Sequence, residues 1–364
     1  MRVVTSSKSF FAGVLLAVGL LMDGCTSASL ARRIVIAPNL EQSPPSPRDW
    51  RSSPAITKAY DKTWQVDVGP PAAKLSVALI DPGDFQLKHN LKVNWNRKHG
   101  NVRLEFGFKP PKRPEPITPK GTILLLHGYM MSKETVLHWA LDLAESGYRT
   151  ILVDLRGHGQ STGQWITYGP READDLAQVL DDLERRGALA GKLGVLGVSY
   201  GASVALQLAS RDQRIKAIVG LQPFSSARDA VVEFGRANLH WLNLFISDAS
   251  LARALNKAET LAGFSWEQAD VAATIQKVHA PILLYHGMKD TWISPRNSQA
   301  IQTRANGCRL VLLEHDNHLT LAVRLKPIDR EIIEWFDSKL VARVGRVTPC
   351  APFGSSVQPA ARTE

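Results

Sequence analysis

The pentapeptide Gly197-Val198-Ser199-Tyr200-Gly201 constrains the fold of this chain more than any other feature. Ahead of it, Lys192-Leu193-Gly194-Val195-Leu196 is a short apolar run that reads as a strand. Behind it, Ala202-Ser203-Val204-Ala205-Leu206-Gln207-Leu208-Ala209 reads as a helix. A serine in G-x-S-x-G, set between strand and helix, takes a strained conformation that lifts its hydroxyl above a sheet. The glycines two residues to either side let strand and helix approach without Cβ clashes. A serine hydroxyl is a weak nucleophile at neutral pH, so it needs a base, and the base needs an orienting acid.

Two downstream segments can supply them. Pro281-Ile282-Leu283-Leu284-Tyr285-His286 reads as a buried strand, and Gly287-Met288-Lys289-Asp290 follows, so Asp290 sits just past a strand end. Arg309-Leu310-Val311-Leu312-Leu313-Glu314 reads as the next strand, with His315-Asp316-Asn317-His318 as its loop. Ser199, Asp290 and His318 thus run in the order serine, acid, histidine. His315 competes with His318 but adjoins the strand, whereas a base on such a loop sits a few residues on. Asp316 is expected to be a loop acid, and His286 a core residue or one supporting the site from behind.

Strands alternate with amphipathic helices from about residue 120, which predicts an α/β fold with a mostly parallel central sheet and helices on both faces. The stretch after Gly169 illustrates the helices. Pro170 suits a first helical position, Glu172, Asp174 and Asp175 favour its positive end, and Leu176, Val179, Leu180 and Leu183 form one apolar face. Residues 75–80 and 103–108 read as leading antiparallel strands. Between the strand ending near Leu221 and the one at Pro281, helical character predicts a small lid over about residues 223–280. Its apolar residues Phe234, Leu239, Trp241, Leu242, Leu244 and Phe245 suit an acyl-binding wall, and ordinary packing accounts for most of them equally well.

Further segments carry a family resemblance. Thr122-Ile123-Leu124-Leu125-Leu126-His127-Gly128-Tyr129 is similar to the strand and His-Gly turn of α/β-hydrolase-fold serine hydrolases. Asp154-Leu155-Arg156-Gly157-His158-Gly159-Gln160-Ser161 resembles the loop after their next strand. Thr167-Tyr168-Gly169, Glu172 and Pro223-Phe224-Ser225-Ser226 resemble a small-lidded bacterial branch that includes dienelactone-hydrolase-like proteins. The resemblance spans roughly residues 75–340. A tetrahedral intermediate needs two fixed donors. One is expected to be the backbone N–H of Tyr200, directly after the nucleophile. The resemblance implies that the other is the N–H of Tyr129, with His127 shaping the turn. Asp154, Arg156 and His158 are expected to hold their loop together rather than to act chemically.

The start of the chain reads as a targeting segment. Arg2 and Lys8 precede an apolar run over residues 10–22. That run is short against the roughly 20 residues of a membrane span and suits a signal peptide. Met22-Asp23-Gly24-Cys25 resembles a bacterial lipoprotein cleavage box, although Asp23 departs from the usual small or apolar residue. The expected organisation is a signal peptide over 1–24 and lipidation of Cys25. A Pro/Ser-rich tether over 25–71, the hydrolase domain over 72–343 and a disordered tail over 344–364 follow. The expected location is the bacterial cell envelope, lipid-anchored with the outer membrane favoured, or periplasmic.

Three cysteines make no compelling disulfide framework, and nothing has the ligand spacing of a metal site. No phosphate-binding glycine loop opens a helix, so no cofactor is expected. The net charge of +10 includes no Lys/Arg cluster dense enough for nucleic acid. The expected function is a serine hydrolase that cleaves an ester or related acyl bond of a small-molecule substrate through an acyl-enzyme. An amidase or peptidase of the same fold is the alternative within enzymes. A catalytically idle envelope binding protein is the alternative outside them, disfavoured by an ordered Ser, Asp and His.

Overall fold

The computed structural model of the chain describes residues 27–41, 54–95, 100–111, 117–238 and 246–341. The helices that matter here are α1 (Ser27–Val35), α2 (Leu137–Glu145), α3 (Pro170–Arg185), α4 (Tyr200–Ala209) and α5 (Ala227–Asn238). They continue with α6 (Asp248–Ala262), α7 (Arg296–Arg304), α8 (His318–Ala322) and α9 (Ile328–Leu340). The strands run from β1 (Lys62–Val68), β2 (Ala73–Ile80), β3 (Lys88–Trp95), β4 (Gly100–Gly107) and β5 (Thr122–Leu126) to β6 (Arg149–Val153). After these come β7 (Leu193–Val198), β8 (Ile215–Leu221), β9 (Ile282–Gly287) and β10 (Cys308–Leu313).

Eight strands form one sheet in the order β1-β2-β6-β5-β7-β8-β9-β10. β2 is antiparallel to both its neighbours, and from β6 to β10 every pairing is parallel. Central parallel strands are covered on both faces, so they read as unbroken apolar runs. All of β5 and β7 is buried accordingly. Alternate residues supply opposite cores. Leu124, Leu126 and Val195 join α3, α4 and α6 on one face, while Ile123, Leu125 and Leu196 join α2 and α9 on the other. The mostly parallel sheet flanked by helices is therefore as expected, and α5 and α6 stand between β8 and β9 where the lid was predicted.

Two expectations need correction. Much of the span read as a tether is folded onto the domain. Ala31, Ile34 and Val35, at i, i+3 and i+4, give α1 a buried face, and β1 completes the sheet by pairing with β2. Val66 and Val68 alternate into the core there, and the Trp64 indole donates to Asp182 at 2.9 Å. The domain thus extends upstream of residue 72. Second, residues 103–108 do not lead the main sheet. They lie largely in β4, which pairs only with β3 in a separate antiparallel ribbon. The expected signal peptide, Cys25, the tail over 344–364 and the lid residues Leu239, Trp241, Leu242, Leu244 and Phe245 lie outside the described residues. Among those described, no helix is long and apolar enough to cross a membrane.

Candidate active site

The parallel strands end on one edge of the sheet, which is where open α/β sheets bind ligands. β7 stops at Val198 and α4 starts at Tyr200, leaving Ser199 alone to make the turn. Its φ of +52° is rare for a residue with a side chain, and such conformations cost on the order of 1–3 kcal/mol. The surroundings enforce it. Ser199 N–H donates to the Leu221 carbonyl at 2.7 Å, and its own carbonyl accepts from Ala202 and Ser203. A Cβ on Gly197 would lie 2.4 Å from the Gly201 oxygen, and one on Gly201 would lie 2.5 Å from that of Leu126. Both glycines are thus required by the close passage of α4 over β7 and β5.

Asp290 follows β9 and His318 follows β10. Backbone bonds hold the two loops together: Lys289 N–H donates to the Asp316 carbonyl and Met288 N–H to that of Leu313, both at 2.9 Å. A side-chain Cβ at Gly287 would strike the Asp316 oxygen at 2.4 Å. His318 is the first residue of α8, which the Asn317 side chain caps by accepting the Thr320 N–H at 2.9 Å. The Gln222 amide donates to the His318 carbonyl at 2.8 Å. The ring therefore hangs from a backbone fixed on two sides.

His318 Nδ1 lies 2.6 Å from Asp290 Oδ2, and Nε2 lies 2.9 Å from Ser199 Oγ. A carboxylate can only accept, so Nδ1 carries the proton and Nε2 presents a lone pair to the serine hydroxyl. Asp290 is 6% exposed and His318 8%. The other oxygen of Asp290 accepts the N–H groups of Trp292 at 2.9 Å and Ile293 at 3.0 Å. Burial alone would raise the Asp290 pKa. The electrostatic pull of the neighbouring His318, the hydrogen bonds from His286 and His318 and the Ile293 N–H outweigh it and hold the carboxyl well below the usual range. His286 is buried between Ser298 Oγ, 2.7 Å from Nδ1, and the Ile293 carbonyl, 2.9 Å from Nε2. It supports the acid from behind.

The competitors are elsewhere. His315 is exposed. Asp316 is buried in an ion pair with Arg324, 2.7 Å away. The His127 ring is engaged on both sides: Nε2 accepts from Leu155 N–H at 3.0 Å, which leaves Nδ1–H to donate to the Gly128 carbonyl at 2.8 Å. Tyr129 follows that fixed turn, and a Cβ at Gly128 would come within 3.7 Å of the Ser199 Cβ. Tyr200 opens α4, so its N–H belongs to a helix end without intrahelical partners. The next loop is held by buried ion pairs, Asp154 with Lys133 at 2.7 Å and Arg156 with Asp175 at 2.6 Å. Burial, with His127 beside it, pushes the His158 pKa down to about 3.

Two aromatic residues around the site bear on access. The Trp292 ring lies 5.3 Å from that of His318. Phe234, on α5, meets Trp292 edge-on at 5.6 Å and Tyr129 at 6.2 Å. A lid residue thus links the base to the turn on the far side of the serine. Phe234 is one of the lid residues expected from the sequence; Trp292 is not, its only signal being an aromatic residue two positions past the acid. Asn317 and Gln222 are not expected from it either.

A family model described as alpha/beta hydrolase fold matches residues 121–273. The uncharacterized protein YqkD of Bacillus subtilis is 25% identical over 221 residues, which make up 59% of this chain and 70% of that protein. An uncharacterized 31.7 kDa protein of Escherichia coli is 30% identical over 138 residues, 37% of this chain and 46% of that one. The chain therefore spans less than half the length of the second relative. Among solved structures, the esterase Pf2001 of Pyrococcus furiosus superposes with a TM-score of 0.53 at 19% identity, covering 78% of this chain and 93% of that one. Sheet order, strand-to-helix turn and these matches agree: the chain has the α/β-hydrolase fold.

Proposed function

We propose that the protein is a serine hydrolase acting on an ester or related acyl bond. The observation that carries this reading is the continuous line from Ser199 Oγ through His318 to Asp290, with contacts of 2.9 and 2.6 Å. The hydrolase-fold match supports the same class of chemistry. Ser199 Oγ attacks the acyl carbonyl and His318 Nε2 takes its proton. Asp290, ionised, stabilises the resulting imidazolium. The tetrahedral oxyanion accepts the backbone N–H groups of Tyr200 and Tyr129. Collapse breaks the bond to the leaving group, which takes the proton from His318 and departs. Water then attacks the acyl-serine, with His318 again as base, and the acid is released.

A fluorophosphonate probe on the purified protein, followed by panels of p-nitrophenyl esters and aminoacyl amides, tests this. The probe should attach to Ser199 and esters should turn over. Ser199→Ala should keep the melting temperature within a few degrees, since its hydroxyl is half-buried, while losing label and nearly all turnover. An unreactive parent protein would favour an idle binding scaffold, and preferential amide cleavage would favour an amidase.

Export and acylation of Cys25 at the cell envelope are part of the same proposal. They rest on the charged start, the apolar run and Gly24-Cys25. Metabolic labelling with an alkynyl fatty acid should mark the parent and not Cys25→Ser.

A further inference from the structure

Helix α1 lies along lid helix α6. Ala31, Ile34 and Val35 share a core with Ala254, Leu255, Ala258 and Ala262. Lys257 Nζ donates to Ser27 Oγ at 2.9 Å, and the Tyr168 hydroxyl donates to the Ile34 carbonyl. Ser27 is thereby fixed against the outside of the lid. Cys25 lies outside the described residues, and the two peptide units that join it to Ser27 have a reach of about 7.6 Å at most.

We infer that the outer face of the lid, along α6, is a docking surface for an anionic lipid bilayer. The inference rests on the proposed acylation of Cys25 and reverses what a long tether would do. With α1 folded onto α6, an acyl chain on Cys25 holds the lid at the membrane instead of letting the domain stand off. The chemistry of the face fits. Arg253, Lys257, Thr260 and Leu261 are exposed on α6. Leu261 is 40% exposed, a large apolar side chain at the rim. The acids of α6 are engaged: Asp248 pairs with Arg236 at 2.7 Å, and Glu259 accepts the Trp266 N–H at 2.7 Å. Arg253 and Lys257, with exposed Arg32 on the adjoining α1, are the cations this part of the surface offers to lipid phosphates.

The surface is connected to the candidate active site. Arg236–Asp248 ties α6 to α5, as does the bond of Arg228 to Asn256 at 3.2 Å. α5 carries Phe234, which spans from Trp292 to Tyr129. A lid pressed on lipid would receive substrate from the bilayer, which favours amphipathic acyl compounds over freely soluble ones.

The full-length lipidated protein, reconstituted in vesicles of phosphatidylethanolamine and phosphatidylglycerol at 3:1, tests the inference. A fluorophore is placed by Thr260→Cys on α6 or by Arg330→Cys on α9, each with Cys308→Ser and Cys350→Ser. α9 packs on the opposite face of the sheet. Nitroxide-labelled lipids should quench the probe at 260 several-fold more than the probe at 330, with fluorophosphonate labelling unchanged in both. Equal quenching at the two positions, or none at 260, in protein that carries the fatty-acid label would overturn the docking surface. Absence of the fatty-acid label would instead remove the anchor on which the inference depends, and the two failures are told apart by that label.

Discussion

Both carboxylate oxygens of Asp290 are occupied without any substrate, one by His318 and one by two backbone N–H groups. The imidazole is thus held in one tautomer before the reaction begins. His318→Ala should lower kcat by at least about 10³-fold, whereas exposed His315→Ala should leave it near the parent value. Ester turnover of the two variants side by side checks this, and the reverse ranking would move the base. A second residue makes a pH prediction. Burial, with Asp329 and Glu145 nearby, pushes the Asp142 pKa up from 3.8 to about 7. A carboxyl raised in this way binds its proton more tightly folded than unfolded. Its stabilising contribution is therefore complete below pH 4 and is lost as pH rises towards 7. Relative to Asp142→Asn, the parent should lose stability across that window, as read from urea midpoints at several pH values. Ser199, Asp290 and His318 were legible in the sequence because each lies within five residues of the end of an apolar run. Trp292, Asn317 and Gln222 were not, because what they do depends on contacts between separate loops and strand ends.

At the scale of elements, the turn around Ser199 depends on how closely α4 crosses the sheet. Gly201 is buried beneath the carbonyls of Leu126 and His127, so Gly201→Ala has to push α4 away from β5. Such overpacking costs about 1–3 kcal/mol, and the shift should also displace Ser199 from His318. Both a lower urea midpoint and lost probe labelling are expected, whereas stability lost with labelling intact would separate the turn from the chemistry. The central strands were legible because burial on both faces leaves an unbroken apolar signature. β1 and α1 were not. β1 is an edge strand with alternating exposure, and α1 hides three core residues among serines and arginines. Composition over residues 25–71 averaged these short signals into an apparent linker.

For the whole molecule, α1 closes a long circuit with the lid: Ser27 and Lys257 are 230 residues apart and in hydrogen-bond contact. Contacts of such separation carry a loop-closure cost that local ones do not. Val35 is fully buried in the core that α1 and α6 share, so Val35→Ala should cost about 2 kcal/mol. If docking of α1 comes late, that loss should appear as faster unfolding, by roughly tenfold or more, with the folding rate little changed. Stopped-flow chevrons distinguish this from a slowed folding limb, which would mean that α1 docks early. The same circuit sets a waiting time. At 5–20 residues per second, synthesis reaches residue 257 about 10–50 s after residue 27. During that interval the apolar stripe of α1 has no α6 to cover it. Its modest size, two aliphatic side chains and an alanine flanked by Arg32 and Arg33, keeps the unfinished chain from offering a strong adhesive surface.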